Sequence, residues 1–294
     1  MMRYILGIAV SVLMSLSLGA VAQQYEYSDR EDKTFTNIEE NKAMLDPQNL
    51  GMLVERGDVK AINNVGLLWA IGYDGKQSFE EAVKWWSAAV DRGYPLAMNN
   101  LGLAYANGQG VEQDIKKAFD LWLKSAIAGN AWAMNSVGDC YETGDGVDQD
   151  YILAMSWYKT AADAGDPLAY FNVGALYQSG RGVERDESAA IEWFQSGAEL
   201  GDPYSMIALA DANRDGMGVS KNPVEALAWY RTALVRIDPQ DVGAVQTSER
   251  QVSRIRMNLT EDEIKTADAR FEYFQKLTAP PEPEKKLDDG ESRI

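Results

Sequence analysis

Between residues 60 and 236 the hydrophobic and small positions of the chain recur with a fixed step of 36. Gly66, Gly102, Gly138 and Gly174 each follow an aliphatic residue, and Ala210 takes the fifth place. Gly108 and Gly110 return as Gly144 and Gly146, Gly180 and Gly182, and Gly216 and Gly218, while Val111 returns as Val147, Val183 and Val219. Ala82, Ala118, Ala154, Ala190 and Ala226 form a further column, followed three residues later by Trp85, Leu121, Trp157, Trp193 and Trp229. Nothing is inserted or deleted across five units. Within a unit the apolar positions fall at helical spacing, and the glycines divide it into two helices. A hairpin of that size cannot bury its apolar face alone, so neighbouring units must stack into a solenoid. The stretch "LGLAYANGQGVEQD" (101–114) resembles a phosphate loop in isolation. A phosphate loop has no reason to recur in register.

The helix ends are marked as well. The first helix opens at Pro95, Pro167 and Pro203, with Asp166 and Asp202 as N-caps, because proline is tolerated where the amides are orphaned anyway. The second opens after Asp114, Asp150, Asp186 and Asn222, and Gly57, Gly93, Gly129, Gly165 and Gly201 provide the left-handed residue that closes it. Gly102 inside a helix costs about 1 kcal/mol against alanine. Close packing against the alanine column, Ala118 here, is the expected compensation, and the tryptophan column is expected in the core rather than as a sugar-stacking platform.

The stretches "LGLAYANGQGVEQDIKKAFDLWLKSAIAG" (101–129), "VGDCYETGDGVDQDYILAMSWYKTAADAG" (137–165) and "VGALYQSGRGVERDESAAIEWFQSGAELG" (173–201) closely resemble Sel-1-like repeats, relatives of tetratricopeptide repeats. The resemblance implies an all-α, right-handed α-solenoid of helix-turn-helix repeats that works through protein contacts. Some relatives carry a disulfide in each repeat; Cys140 is the sole cysteine of this chain. The repeats are placed at 60–239, between a degenerate N-terminal helical cap at 37–59 and a C-terminal cap at 240–278. In that second cap Val245, Val252 and Ile255 share one helix face, and Thr260-x-x-Glu263 opens another helix carrying Ile264, Ala267, Phe271 and Phe274. Residues 23–36 and 279–294 are polar, and their composition predicts disorder. Arg3, the apolar run from Tyr4 to Leu18 and Ala20-Val21-Ala22 read as a signal peptide, 1–22, cut before Gln23. That run falls short of the roughly 20 residues that span a bilayer, so the expectation is a periplasmic protein with no stable membrane anchor after cleavage.

Charge and composition narrow the chemistry. The 294 residues carry a formal charge of -17 and contain no histidine. Nucleic acid is therefore excluded as a partner, and the usual general base and the commonest metal ligand are missing. Asp145, Asp148 and Asp150 suggest a calcium loop, but their counterparts in the other units include Gln109, Arg181 and Met217. Glu187-Ser188 matches the glutamate-serine pair of lytic transglycosylases without the rest of that signature. No catalytic, cofactor-binding or metal-binding residue is assigned, and no cofactor.

Recognition is expected on the first helices, in columns spaced by three and four residues that share one face. These are Lys60, Leu96, Trp132, Leu168 and Tyr204; Asn63, Asn99, Asn135, Phe171 and Ile207; Leu67, Leu103, Asp139, Ala175 and Asp211; and Ala70, Ala106, Glu142, Gln178 and Arg214. Asn99, Trp132, Asn135, Asp139, Glu142, Phe171, Gln178 and Asp211 are the candidate partner-binding residues, with packing between repeats as the competing role. As surface residues they should tolerate single changes such as Asn135→Ala with no more than about 0.5 kcal/mol lost. The expected function is a non-enzymatic scaffold or adaptor of the bacterial envelope that binds a protein or peptide through its concave face. The alternatives are a periplasmic regulator that holds a sensor or envelope enzyme inactive and, further off, a cell-wall-directed hydrolase.

Overall fold

The computed structural model describes residues 47–72 and 75–279. The expected signal peptide, the N-terminal polar segment, residues 37–46 of the expected first cap and nearly all of the C-terminal tail lie outside the described residues. Among the described residues every regular element is an α-helix. α1 (Pro47–Glu55) precedes five helical pairs: α2 (Val59–Ile71) with α3 (Phe79–Val90), α4 (Pro95–Asn107) with α5 (Ile115–Ile127), and α6 (Ala131–Thr143) with α7 (Tyr151–Asp163). α8 (Pro167–Ser179) with α9 (Glu187–Glu199) and α10 (Pro203–Asp215) with α11 (Pro223–Arg236) complete them, and α12 (Val242–Arg256) and α13 (Glu261–Leu277) follow. From α1 to α12 each helix packs on the next, the two helices of a unit most extensively, which is the arrangement of an α-solenoid; α13 returns to pack on α11.

The local signals act as the sequence predicts. Asp114, Asp150, Asp186 and Asn222 accept hydrogen bonds from first-turn amides of α5, α7, α9 and α11, and Asp166 and Asp202 do the same for α8 and α10. The two loop glycines have different tasks. Gly108 closes α4 at φ +66°, whereas Gly110, at φ +71°, lies against the preceding unit: a Cβ there would come within 2.3 Å of the Phe79 carbonyl carbon. Gly146, Gly182 and Gly218 meet the backbone of Ile115, Tyr151 and Glu187 in the same way. The second glycine therefore lets each loop rest on the first turn of the previous unit's second helix. Glu187 reinforces the contact by accepting the Gly218 N–H and pairing with Arg185, which gives this glutamate a structural role.

The core differs from the sequence expectation in one column. The alanine column is fully buried, yet the space beside Gly102 is filled by the ring of Trp122, and a Cβ on Gly102 would lie 2.6 Å from its Nε1. Gly66, Gly138 and Gly174 face Trp86, Tyr158 and Phe194 in the same manner, and Tyr230 occupies this place in the fifth unit, where Ala210 replaces the glycine. These rings stand one residue after the tryptophan column. Consecutive helical residues point about 100° apart, so only the later column can enter the notch. Trp85, Trp157 and Trp193 remain half-buried at the boundaries between units, Trp193 with its ring 5.6 Å from Tyr170.

At the C-terminal end, α12 and α13 pack on α11, the Trp229 ring stacks on Phe274, and Arg231 and Arg270 pair with Asp268 and Glu225. Thr260 and Glu263 form both bonds of the expected capping box.

Candidate binding face

The first helices α2, α4, α6, α8 and α10 carry the four variable columns. Two kinds of contact are built there. In the first, side chains of neighbouring first helices meet at a separation of 37 residues: Asn100 Nδ2 donates to Asn63 Oδ1 at 3.0 Å, and Asn172 Nδ2 donates to Asn135 Oδ1 at 2.9 Å. These bonds are rungs between successive units. At the junction between them the counterpart of Asn99 is Ser136, which instead donates to the Trp132 carbonyl, and Asn99 Oδ1 is left buried without a partner. At the fourth junction the rung becomes Phe171 and Ala208, and the asparagine pair is lost. Alanine cannot fill the space an asparagine would occupy. A cleft of about 330 Å³ opens here, lined by Phe171 and Gln178 of α8, by Tyr204, Ile207, Ala208, Asp211 and Arg214 of α10, and by Met217 in the following loop.

In the second kind of contact the ring seated in the glycine notch reaches through the hairpin and shows its polar tip to this face. Trp122 Nε1 donates to the Asn99 carbonyl at 3.2 Å. The Tyr158 hydroxyl lies 2.6 Å from Asp139 Oδ1 and 2.9 Å from Glu142 Oε2, and Arg181 reaches Glu142 at 3.4 Å. Burial pushes Asp139 up to about 7; the Tyr158 hydrogen bond opposes the rise and the Glu142 charge adds to it. Two units later Tyr230 donates to Asp211, and Arg214 stands where Glu142 stood, pairing with Asp211 and Asp215. The intervening unit has Phe194, which has no hydroxyl to place, and Ala175 stands where the acid would be. An acid is therefore present only where a phenol needs an acceptor.

The five units match the family model of the Sel1 repeat at residues 59–94, 95–130, 133–166, 167–202 and 203–234. The chain belongs to the Sel1 repeat family. Sel1 repeat proteins generally mediate protein–protein interaction, and the repeat scaffold is generally non-catalytic. Among solved structures, the chain is similar to a protective antigen of uropathogenic Escherichia coli strains displaying an SLR fold, at 23% identity and a TM-score of 0.61 over 90% of this chain. It spans 56% of that antigen. It is also similar to a Sel1 repeat protein from Oxalobacter formigenes, at 26% identity and a TM-score of 0.58, over 83% of this chain and 99% of that one. No curated protein matches significantly.

The Sel1 register places the eight candidate residues in three settings. Asn99 and Asn135, at 4% and 5% exposure, lie in the packing between units rather than on an open surface. For Asn135 the physical reason is the rung, in which its amide is met by Asn172 of the next unit; Asn99 is buried at the same place in the repeat without that partner. Asp139 and Glu142 serve the Tyr158 hydroxyl, and Trp132 is half-buried on the same helix. Phe171, Gln178 and Asp211 come together in the cleft. Ala208 lies one position beyond the columns read from the sequence, and Met217 figures there only as the loop counterpart of Asp145. The 37-residue pairing of Asn63 with Asn100 and of Asn135 with Asn172 is the signal that exposes Ala208.

Asp150 caps α7 and Asp145 accepts the Thr143 hydroxyl. Cys140 is buried, and that burial pushes its thiol above the ordinary range. No described helix is long and apolar enough to cross a membrane.

Proposed function

We propose that this Sel1 repeat chain is a non-enzymatic scaffold of the bacterial envelope that binds a partner protein or peptide along the face formed by its first helices. The observation that carries the reading is the cleft between α8 and α10, which draws on all four variable columns and interrupts the asparagine rungs at one junction. The asparagine pair is replaced there by Phe171, whose ring lies against Tyr204, and by the smaller Ala208, and the cleft remains beside them. The envelope location rests on the sequence of the first 22 residues, Arg3 and the apolar run ending in Ala20-Val21-Ala22. N-terminal sequencing of the protein from the periplasmic fraction is expected to begin at Gln23; an intact Met1 there would defeat it.

The binding reading is tested in intact cells by placing a photoreactive residue at Gln178 in the cleft or at Glu192, an exposed position on α9. A discrete covalent adduct from Gln178 and none from Glu192 is the expected result. Adducts from Glu192 alone would move the interface to the other side of the solenoid. A periplasmic regulator is the same reading with an enzyme or sensor as partner, and the adduct's identity distinguishes the two. Turnover of peptidoglycan by the purified protein would favour the hydrolase reading instead.

A further inference from the structure

We propose that the cleft between α8 and α10 is a pocket for an arginine side chain of the partner protein, an assignment that rests on the interaction reading above. Its walls and its polar end ask for different parts of one group. Phe171 and Tyr204, with ring centroids 6.0 Å apart, and Met217 line it with aromatic and thioether surface. A flat cation stacks on such faces, and an aliphatic stem lies along them.

The hydrogen-bonding inventory at the polar end fixes the sign of the charge. Arg214 is a cation in the lining, but all three of its guanidinium nitrogens are engaged: Nε and Nη2 with Asp215, and Nη1 with the Tyr230 hydroxyl and Asp211. An incoming carboxylate finds no free guanidinium edge. Asp211, by contrast, receives both of its described bonds on Oδ1 and keeps Oδ2 as an acceptor, and Gln178 lines the mouth with an amide that no described residue engages. Within the lining Asp211 and Arg214 balance, in a chain of formal charge -17. Asp215 lies outside the lining, and Lys221 and Arg254 act on it there besides Arg214. A ligand bringing donors and positive charge on a planar head is matched, and arginine has that geometry where lysine presents only a point charge.

The test uses N-acetyl-argininamide as the probe and the methionine methyl of Met217 as the reporter, followed by NMR in the full chain. Saturable displacement of the Met217 signal is expected, with a response at least about fivefold weaker to the citrulline analogue, which has the same shape without the charge. Ala208→Trp, which fills the cleft, should abolish the response. Gln178→Lys and Gln178→Glu leave the packing alone and should move the affinity in opposite directions, about fivefold weaker and about threefold stronger. Equal responses to the two analogues, shifts scattered over the acidic surface with Met217 unmoved, or indifference to the charge at Gln178 would each overturn the assignment. A photo-adduct at Gln178 without any probe binding would remove the arginine and leave the interaction face standing. Loss of both would remove the face as well.

Discussion

The junction between α6 and α8 and the junction between α8 and α10 are the same place in the repeat, one unit apart, and they are built in opposite ways. In the first, Asn135 and Asn172 are joined across the gap by a hydrogen bond. In the second, Phe171 and Ala208 stand at those positions and the space is open. The repeat register is the same in both, so the difference lies in the side chains: Phe171 and Ala208 replace the asparagine pair, and Tyr204, Gln178 and Arg214 stand where the neighbouring junction has Leu168, Glu142 and Gln178. A repeat protein can thus open a cleft by omitting an interior rung, with no change of fold.

The rings behind the two junctions give the largest expected effect. Phe194, which fills the notch beside Gly174 and lies 5.8 Å from Phe171, is fully buried. Phe194→Ala should cost about 3–5 kcal/mol in urea unfolding, because the cavity cannot collapse against two rigid helices. Trp193→Ala, one residue earlier but half-buried, should cost clearly less. Equal losses would mean that the two columns share the core, and that the notch does not select between them.

Next comes the rung itself. Asn135→Ala removes the acceptor of Asn172 Nδ2 in a contact where Asn135 is 5% exposed. The donor left behind, Asn172, is half-buried, so the loss should be about 1 kcal/mol, above the half kilocalorie expected of an open surface position. Thermal and urea unfolding of Asn135→Ala beside Gln178→Ala separates the closed junction from the open one. A cost below about 0.5 kcal/mol for both would show the rung to be solvated.

How far the sequence reveals these features depends on whether they are local. Caps and left-handed glycines are decided within a few residues, so Asp114, Asp186 and Gly108 can be read directly. The notch and the rungs depend on which residue of one helix faces which residue of another. A fixed period of 36 reveals columns but not the one-position offset between partners, which is why the sequence favours Trp193 over Phe194 for the core and presents Asn135 as surface. The candidate site is legible in Phe171, Gln178 and Asp211. Ala208 is not, because what it contributes is the absence of a larger side chain.

A third contrast concerns charge. Glu142 and Arg214 hold the same place in the repeat, beside Asp139 and Asp211 respectively. Asp139 is raised to about 7 by burial and by the Glu142 charge, and burial likewise raises Asp166 to about 8 and Asp202 to about 6. A carboxyl whose folded pKa exceeds its unfolded value holds a proton that the unfolded chain has released. Its contribution is complete below the ordinary carboxylate value and is lost as pH rises through the folded value. The urea midpoint should therefore fall between about pH 5 and about pH 8. Glu142→Arg copies the fifth unit into the third and should flatten that decline by favouring the ionised form of Asp139. A midpoint that rises with pH, or a slope untouched by the substitution, would refute this account of the third unit.

The smallest effect comes from the junction that is neither closed nor open. Between α4 and α6, Asn99 is buried with Oδ1 unpartnered, and Ser136 turns back to its own helix at the Trp132 carbonyl, 3.1 Å away. Its side chain is too short to cross to the neighbouring unit. In Ser136→Asn the amide gains the reach that Asn100 and Asn172 have in the neighbouring junctions, at the cost of the hydroxyl's back-bond. The new bond should raise stability by about 0.5–1 kcal/mol, the usual net value for a hydrogen bond between neutral groups. The same substitution in an Asn99→Ala background should gain nothing, since its acceptor is gone, and this double-mutant comparison isolates the rung from any change in helix propensity. A gain that survives Asn99→Ala would mean that residue 136 acts within its own helix, and the three junctions could then no longer be read as a closed rung, a broken rung and a cleft.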